Sequence, residues 1–565
     1  MTRSRHVLLM TLAASCCRVG GVTAQAIPTP AEESGYRQYS QHEDVARFLS
    51  VLDHASREMA VRVVGRTRDS SAYPAKELYV VVLSSNGAGE PGELDRSKAT
   101  IMIMASQHGD EQSAKEAALR LIRDVAVSDL KLLLATVNLV VMPQCNPYGN
   151  WADVRENEIG LDMNRDHVKL ESEGVRAIDR TFRAYMPEVT LDVHEKGDDY
   201  YRVSTGCVSN PNADPALLEL SRGIILAELG GALAKEQVTF FEYLVTEEMG
   251  LDTSAGVRYR PEELAGRARM TRFSTTDLND GRNSLGIYQT LSFIQEGASR
   301  HDLETLRDRS EWQYAGIRSF ARSVAGNAGK IVPLVRGLRA RLLEAAHAPE
   351  ERSLVHLRME YARDPAQPTL PLKRFARAET PIRGVLKADK KAGEPVAADD
   401  LAPHPHPRNV KVVDEVIRNW FPRVETRLQV VRPRGYLLPG RLQEVVETLL
   451  RHGIEVSLLT RDQEVEVQAY DATEVTPARF DYLPPERIEV LARDLRTLAR
   501  KGDFYVSCAQ PGGDLVAVLL EPQSRYGLIR YSAYKLVPAK GDTFAVLRIT
   551  KPQEITVVPY RGWRE

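Results

Sequence analysis

Cysteine is scarce in this chain, whose 565 residues include only five. Cys16 and Cys17 lie in the N-terminal segment, and the three that remain are an odd number, which excludes a disulfide-built scaffold. One bridge, between Cys145 and Cys207, is compatible with the sequence, although no feature requires it. A chain of this length easily supplies a hydrophobic core of ordinary size, and two domains joined by linkers are expected.

Long apolar runs and blocks of one charge are also missing. Beyond the N-terminus, no segment is apolar for the roughly 20 residues that a spanning helix needs, so we expect no stable membrane insertion of the mature chain. Lys and Arg number 75 against 77 Asp and Glu, which leaves a net charge of -2 without any basic block. This balance argues against nucleic acid as a partner.

The N-terminus has the features of a signal peptide. Arg3 and Arg5 form a positive start, Val7–Cys17 is a short apolar stretch, and Val22-Thr23-Ala24 offers a cleavage site of small residues. The apolar stretch is too short to span a bilayer, which favours export over an N-terminal anchor helix. The expected location is therefore secreted or periplasmic, with residues 1–24 removed.

Residues 36–325 alternate apolar strands with amphipathic helices. This order predicts an α/β fold with a mixed, mostly parallel sheet flanked by helices. The expected strands include Leu78–Leu83, Ala99–Ala105, Val137–Met142, Val189–Val193 and Ile287–Gln295, and the expected helices include His42–Ser56, Gln112–Val127 and Gly174–Tyr185.

The remainder of the chain has a different composition. Residues 326–350 are expected to be helical, and the segment from Asp364 to Arg408 is rich in Pro, Ala and charge, which is typical of a linker. We therefore assign 326–409 to a helical segment with a linker and 410–565 to a smaller α+β accessory domain. One helix is expected there, Gly440–His452, and the expected strands are Tyr436–Leu438, Ile454–Leu459, Val465–Ala469, Asp503–Ser507, Val516–Leu520 and Phe544–Ile549.

Ionisable side chains follow three of the apolar runs in the first domain. His108 and Glu111 come just after one run, His194 ends a second, and Glu296 closes a third. Two imidazoles and one carboxylate form a three-ligand zinc site with an open fourth position. A further carboxylate beside zinc can act as general base, because the metal lowers the pKa of bound water to about 7. Asp110, between the first two ligands, is a candidate to orient His108.

A polar, turn-rich loop lies between the predicted metal ligands. It contains Arg155, Asn157, Asn164 and Arg165. Arginine suits the recognition of a carboxylate, because its planar guanidinium donates two parallel hydrogen bonds. Two arginines and an asparagine beside zinc could therefore hold a substrate carboxylate and polarise a carbonyl.

Together these residues resemble the M14 family of zinc carboxypeptidases over roughly residues 36–325. The ordered matches are His108/Glu111, Asn146-Pro147-Tyr148-Gly149, Arg155, Asn164-Arg165, His194 and Glu296. The resemblance implies that the two histidines and Glu111 hold one Zn²⁺ and that Arg155 stabilises the oxyanion. It also implies that Asn164 and Arg165 bind the terminal carboxylate, with Glu296 as general base and then proton donor.

The sequence departs from the family pattern at one position. Digestive members carry a mobile tyrosine about 22 residues before the catalytic glutamate, and that offset falls on Ser274, beside Phe273. Tyr288 is nearer to Glu296 and is retained as a candidate substrate contact. Arg282 is a second candidate, because an arginine in the side-chain pocket would favour acidic terminal residues.

We therefore predict an exported zinc metallocarboxypeptidase, a hydrolase that acts on peptide or protein C-termini through a zinc-activated water. Two alternatives remain open. One is a zinc amidohydrolase on the same fold that acts on peptidoglycan stem peptides or acylated amino acids. The other is a non-catalytic binding protein, against which the presence of every expected ligand, arginine and base argues.

Overall fold

A computed structural model describes residues 27–250, 266–347, 353–376, 411–479 and 481–562. The predicted signal peptide and most of the predicted linker, at 377–410, lie outside these residues. Within the described ranges, no helix combines the length and the apolar character that a membrane crossing requires. We call residues 27–347 the N-terminal part and residues 353–562 the C-terminal part.

The strands of the N-terminal part include the five predicted from apolar runs and others that were not predicted. These are β1 (Met59–Arg66), β2 (Glu77–Leu83), β3 (Ala99–Ala105), β4 (Val137–Met142), β5 (Val189–Gly197), β6 (Val203–Cys207), β7 (Phe240–Glu242), β8 (Leu244–Glu248), β9 (Arg269–Phe273) and β10 (Leu291–Ser299). The last of them begins four residues later than predicted, because a short helix occupies the preceding segment.

Eight of these strands form one mixed sheet, in the order β1-β2-β4-β3-β5-β10-β6-β7. Its centre is parallel, since β3 pairs in parallel with β4 and β5, and β5 with β10. The pairings of β1 with β2, β2 with β4 and β10 with β6 are antiparallel. The predicted fold class is confirmed.

Helices cover the sheet. They are α1 (Pro30–Glu33), α2 (His42–Ala55), α3 (Gln112–Val127), α4 (Pro147–Ala152), α5 (Glu173–Tyr185), α6 (Pro215–Leu220), α7 (Ala227–Lys235), α8 (Gly281–Gly286) and α9 (Leu306–His347). The helix predicted at 326–350 belongs to α9, which continues without a break across the boundary proposed at residue 325.

Successive residues of a strand point to opposite faces of the sheet, and β3 shows how this divides the core. Ile101 and Ile103 pack into a cluster that includes residues of α2, α3 and α9. Met102 and Met104 pack into a second cluster that includes α5 and much of the C-terminal part. The sheet is therefore buried on both faces, which explains why β3 is a continuous apolar run.

The C-terminal part consists of β11 (Leu354–Ala362), β12 (Leu370–Phe375), β13 (Val412–Ile417), β14 (Trp420–Phe421), β15 (Arg423–Val431), β16 (Gly435–Leu438), α10 (Gln443–Arg451), β17 (Val456–Leu459), β18 (Gln463–Thr476), β19 (Arg487–Ala499), β20 (Phe504–Ser507), α11 (Gly513–Leu520), β21 (Leu547–Ile549) and β22 (Val557–Tyr560). Seven of these strands form a sheet of their own, in the order β19-β18-β21-β16-β20-β17-β22. This composition agrees with the predicted α+β class.

The strand predicted at Val516–Leu520 is wrong, because this segment belongs to helix α11. Every residue of α11 is buried, so the run is apolar on all sides and has neither the period of a strand nor that of an amphipathic helix. Part of the expected linker also forms a strand, β12, which pairs with β13.

The two parts share contacts rather than standing apart. Trp420 of β14 pairs with Thr271 of β9, so a strand from the C-terminal part extends a small sheet of the N-terminal part. Phe182 and Tyr436 belong to the same hydrophobic cluster. The described cysteines, Cys145, Cys207 and Cys508, are buried and free, so the bridge considered from the sequence is not formed.

Candidate active site

The ends of neighbouring parallel strands bring the predicted metal ligands together. His108 and Glu111 follow β3 directly, and Glu111 is the residue before α3. His194 lies on β5, and Glu296 lies on β10 as its register partner. Because parallel strands place register partners side by side, a contact between residues 102 positions apart in sequence becomes local.

The three ligands face one another through the atoms that a metal would need. Nδ1 of His108 lies 2.8 Å from Oε1 of Glu111, and Nδ1 of His194 lies 2.8 Å from Oε2 of the same carboxylate. The two Nδ1 atoms are 3.1 Å apart. All three side chains are buried, and two imidazole nitrogens with one carboxylate are a donor set that suits zinc.

Carboxylates also hold the far side of each imidazole ring. Nε2 of His108 lies 3.0 Å from Asp162, and Nε2 of His194 lies 2.9 Å from Asp192. An imidazole that donates from Nε2 presents the lone pair of Nδ1, so these contacts prepare both rings for a metal. The carboxylate that orients His108 is therefore Asp162, and the expectation of this role for Asp110 is corrected.

Strong electrostatic coupling holds this cluster together. Burial would lower the pKa of His194, but Asp192 and Glu111 outweigh it and raise that pKa well above its ordinary value. Burial would likewise raise the pKa of Glu111, but the imidazoles of His108 and His194 hold it well below the ordinary value. The carboxylate of Glu111 is consequently ionised and available as a ligand.

Glu296 lines a cavity of about 230 Å³ together with His108 and Glu111. Its side chain is 6% exposed, and burial raises its pKa, with His194 acting in the opposite direction. Tyr243 lies close enough to Glu296 to oppose this rise in its pKa. The carboxylate is thus held near the ligands without being one of them, as a proton-transfer group requires.

The predicted polar loop reaches the same cavity. Nε of Arg155 donates to Asp162 at 2.8 Å, and its Nη1 lies 3.1 Å from Nδ1 of His108. Asn164 and Arg165 belong to a short 3₁₀ turn, where Nδ2 of Asn164 lies 3.2 Å from His194 and Nη1 of Arg165 donates to the Asn164 carbonyl at 2.6 Å. All three line the cavity together with His108 and Glu111.

The two remaining candidates occupy different surroundings. Arg282, on α8, is buried and lines the cavity; its Nη2 donates to Asp280 at 2.7 Å. Its Nε and Nη1 have no hydrogen-bond partner in the described ranges. Tyr288 is absent from the cavity wall and packs against Phe182, with ring centroids 5.3 Å apart. This is the position of a core side chain, so we assign Tyr288 no part in the site.

Tyr243 is a site residue that the sequence analysis missed. It lies between β7 and β8, 53 positions before Glu296, whereas the family spacing falls on Ser274. The intervening segment is longer here, so an offset counted along the chain cannot find it. Only the pairing of β10 with β6, and of β6 with β7, brings Tyr243 to the cavity.

A close backbone contact holds the metal loop in place. A Cβ at Gly109 would lie 1.9 Å from the carbonyl carbon of Gly149, so neither backbone has room for a side chain. We expect Gly109→Ala to lower the free energy of unfolding by about 3 kcal/mol or more, measured by chemical denaturation. Gly231→Ala, in α7 and without neighbours within 4 Å, is the control and is expected to be neutral or stabilising. A stable Gly109→Ala protein would contradict this packing.

Comparison with known proteins finds carboxypeptidases both by sequence and among solved structures. Residues 58–189 match the model of the zinc carboxypeptidase family, Peptidase_M14. Carboxypeptidase 2 of Trichophyton tonsurans is 23% identical over 478 residues, covering 80% of this chain and 77% of that protein. Carboxypeptidase 2 of Trichophyton rubrum is 22% identical over 540 residues, covering 90% and 86%. Among solved structures, a metallo-carboxypeptidase from Burkholderia cenocepacia is 16% identical, with a TM-score of 0.38, covering 52% of this chain and 70% of that one.

Proposed function

Because residues 58–189 match the zinc carboxypeptidase family, peptidase M14, we propose that this chain is a zinc metallocarboxypeptidase that removes single residues from peptide C-termini. The observation that carries the proposal is the convergence of the buried cluster His108–Glu111–His194 with one cavity, whose lining includes His108, Glu111, the separate carboxylate Glu296 and the carboxylate-binding candidate Arg165. Each of these groups has a distinct part in hydrolysis of a terminal peptide bond.

The histidines and Glu111 would hold one Zn²⁺ through two Nδ1 atoms and a carboxylate oxygen. Zinc bound there supplies a Lewis acid that polarises the scissile carbonyl and activates water. Asp162 and Asp192 keep the two imidazoles oriented for this purpose.

The remaining residues bind the substrate and move the proton. Glu296 takes the proton of the attacking water and then delivers it to the leaving amine. Arg155 donates hydrogen bonds to the oxyanion of the tetrahedral intermediate. Arg165, with Asn164, binds the terminal carboxylate through charge-assisted hydrogen bonds and so selects the last residue of a peptide.

Tyr243 is proposed to contact the substrate beside Glu296. Because its hydroxyl can supply one hydrogen bond, Tyr243→Phe is expected to raise KM by about 2- to 10-fold and to leave kcat within a factor of about three. Steady-state kinetics on one peptide would measure KM and kcat separately. Tyr185→Phe, which removes a hydroxyl bonded to the Gly89 carbonyl at 2.6 Å, is the control. An unchanged KM would exclude the contact.

Arg282 is proposed to favour acidic terminal residues. Arg282 lines the cavity, and its Nε and Nη1 have no hydrogen-bond partner among the described residues, so the side-chain carboxylate of a terminal Glu or Asp would complete their hydrogen bonds. Arg282→Gln is expected to lower kcat/KM for Glu-ended peptides about 10- to 100-fold relative to Leu-ended peptides. Arg282→Lys retains the charge and is expected to keep part of the preference. A preference that survives in Arg282→Gln would remove this proposal.

The activity is best tested with a mixed peptide library and mass spectrometry. We expect stepwise loss of C-terminal residues from free peptides, none from C-terminally amidated copies, and no cleavage after zinc chelation. Hydrolysis of acylated amino acids or peptidoglycan stem peptides alone would favour the amidohydrolase alternative. Intact substrates throughout, from a protein that binds no zinc, would favour a binding protein.

We also propose that the protein is exported, on the basis of its N-terminal sequence. Mass spectrometry of the mature protein is expected to place its first residue just after Ala24, in a secreted or periplasmic fraction. A chain that retains Met1 inside the cell would contradict export and would leave the proposed chemistry unaffected.

A further inference from the structure

Tyrosine hydroxyls of the C-terminal part bind one short segment of the N-terminal part. This segment, residues 274–280, connects β9 to α8 and is called the cavity segment. The backbone N–H of Thr276 donates to the hydroxyl of Tyr361 at 3.0 Å. The side-chain hydroxyl of Thr276 bonds to the hydroxyl of Tyr526 at 2.7 Å. One residue of the cavity segment is thus held by two elements far away in sequence.

Asn279 fixes the other end of the cavity segment in a similar way. Its Nδ2 donates to the hydroxyl of Tyr531 at 3.0 Å, and its Oδ1 accepts from the backbone N–H of Val168 at 3.0 Å. Asn279 is fully buried, and Tyr531 is 2% exposed. Hydrogen bonds in such a setting are costly to break, because the separated groups cannot turn to water instead.

The cavity segment leads directly into the proposed substrate-binding groups. Asp280, its last residue, accepts from Arg282 and from the backbone N–H of Asn283, which it caps at the start of α8. The next backbone N–H, of Gly281, donates to Oδ1 of Asn164 at 2.8 Å. A displacement of the cavity segment would therefore disturb Arg282 and Asn164. These are the residues proposed to bind the side-chain carboxylate and the terminal carboxylate of the substrate.

The C-terminal part also lines the cavity itself. Tyr361, Arg525 and Tyr526 line the same cavity as His108 and Glu111. The guanidinium of Arg272 lies 4.4 Å from the ring centre of Tyr361 and forms an ion pair with Glu247. Tyr361, which belongs to β11, and Arg272 therefore stack against each other where they line the cavity.

We propose that the C-terminal part belongs to the substrate site, and that Tyr361 and Tyr526 are positioning residues that hold the cavity segment in the conformation needed to bind a peptide C-terminus. This inference rests on the proposed carboxypeptidase function. It assigns to the C-terminal part a role in substrate binding, and none in the proton transfer of Glu296.

The test uses the full chain with both hydroxyls removed, as Tyr361→Phe/Tyr526→Phe. The matched control is Tyr534→Phe, which removes a hydroxyl bonded to Thr448 at 2.8 Å entirely within the C-terminal part. The double variant is expected to raise KM about tenfold, with kcat within a factor of about three and zinc content unchanged. Hydrogen exchange of residues 274–280 is expected to be faster in the double variant and unchanged in the control.

The outcomes separate this inference from the proposed function. Equal KM and equal exchange in the double variant and the control would overturn the positioning role. If the wild-type enzyme cleaves no peptide, the proposed function fails, while exchange at 274–280 still decides the positioning role in either direction. The single variant Tyr361→Phe, at a half-buried side chain, replaces the double variant if that one does not fold.

Discussion

Replacing Glu296 by glutamine is expected to lower kcat about 10³-fold, within the range of 10²- to 10⁴-fold that general acid–base groups contribute. Glutamine has the same shape and keeps a polar group beside Tyr243, but it cannot take a proton from water. KM is expected to change little, because Glu296 acts on the proton rather than on the terminal carboxylate. Zinc content should stay at one ion per chain, since Glu296 is not a ligand.

The control for this prediction is Glu188→Gln. Glu188 is also a buried carboxylate, directly before the start of β5, where it accepts from the backbone of Thr100 and pairs with Arg336. Its loss is expected to affect stability and not kcat. Single-turnover kinetics at saturating peptide would measure the chemical step directly. If Glu296→Gln retained kcat within a factor of about three, Glu296 could not be the general base.

Loss of a metal ligand is expected to have an effect at least as large. His194→Ala removes one of the three proposed protein ligands, leaves the buried carboxylate of Asp192 without its imidazole partner and leaves Glu111 with His108 alone. We expect zinc to fall well below one ion per chain and activity to fall about 10³-fold or more, because zinc contributes several kcal/mol to the transition state. Elemental analysis after dialysis, together with peptide kinetics, would measure both quantities.

Two further variants make the prediction specific. Asp192→Asn keeps all three ligands but weakens the carboxylate contact of His194, and we expect zinc affinity to fall about 10- to 100-fold. His452→Gln changes a buried histidine that binds only the Val168 carbonyl among the described contacts, and it should leave the zinc content unchanged. Activity removed by a chelator should return when zinc is restored. Full activity of the metal-free protein would refute the proposed role of zinc.

Local sequence patterns were sufficient where a function depends on neighbours along the chain. His108 and Glu111 follow an apolar strand at a spacing of three residues, and both lie at the cavity in the structure. Asn164 and Arg165 are adjacent in a turn that Asp162 begins by accepting the Asn164 backbone N–H at 3.0 Å. Such turns form through contacts within a few residues, so their outcome can be predicted from the sequence.

Predictions from the sequence were wrong or incomplete where a local pattern fits both a helix and a strand, or where a contact joins residues far apart along the chain. The apolar run at Val516–Leu520 has no period that could distinguish a helix from a strand, and burial on all sides decided for the helix. Tyr288 was placed near Glu296 by sequence distance, but α8 and the turn after it direct its ring into the core. Tyr243 was missed because its proximity to Glu296 depends on sheet pairing alone.

The sequence by itself indicated the chemistry that we propose for this protein, because two histidines and two glutamates at strand ends, with Arg155 and Arg165 between them, are residue types suited to metal and carboxylate binding. Tertiary structure alone decided how these groups are held. Register between β5 and β10 places Glu296 beside His194, and Asp162 and Asp192 orient the rings. Long-range hydrogen bonds bring the tyrosines of the C-terminal part to residues 274–280. These contacts join residues many positions apart, and only packing of the whole chain offsets the entropy lost in bringing them together.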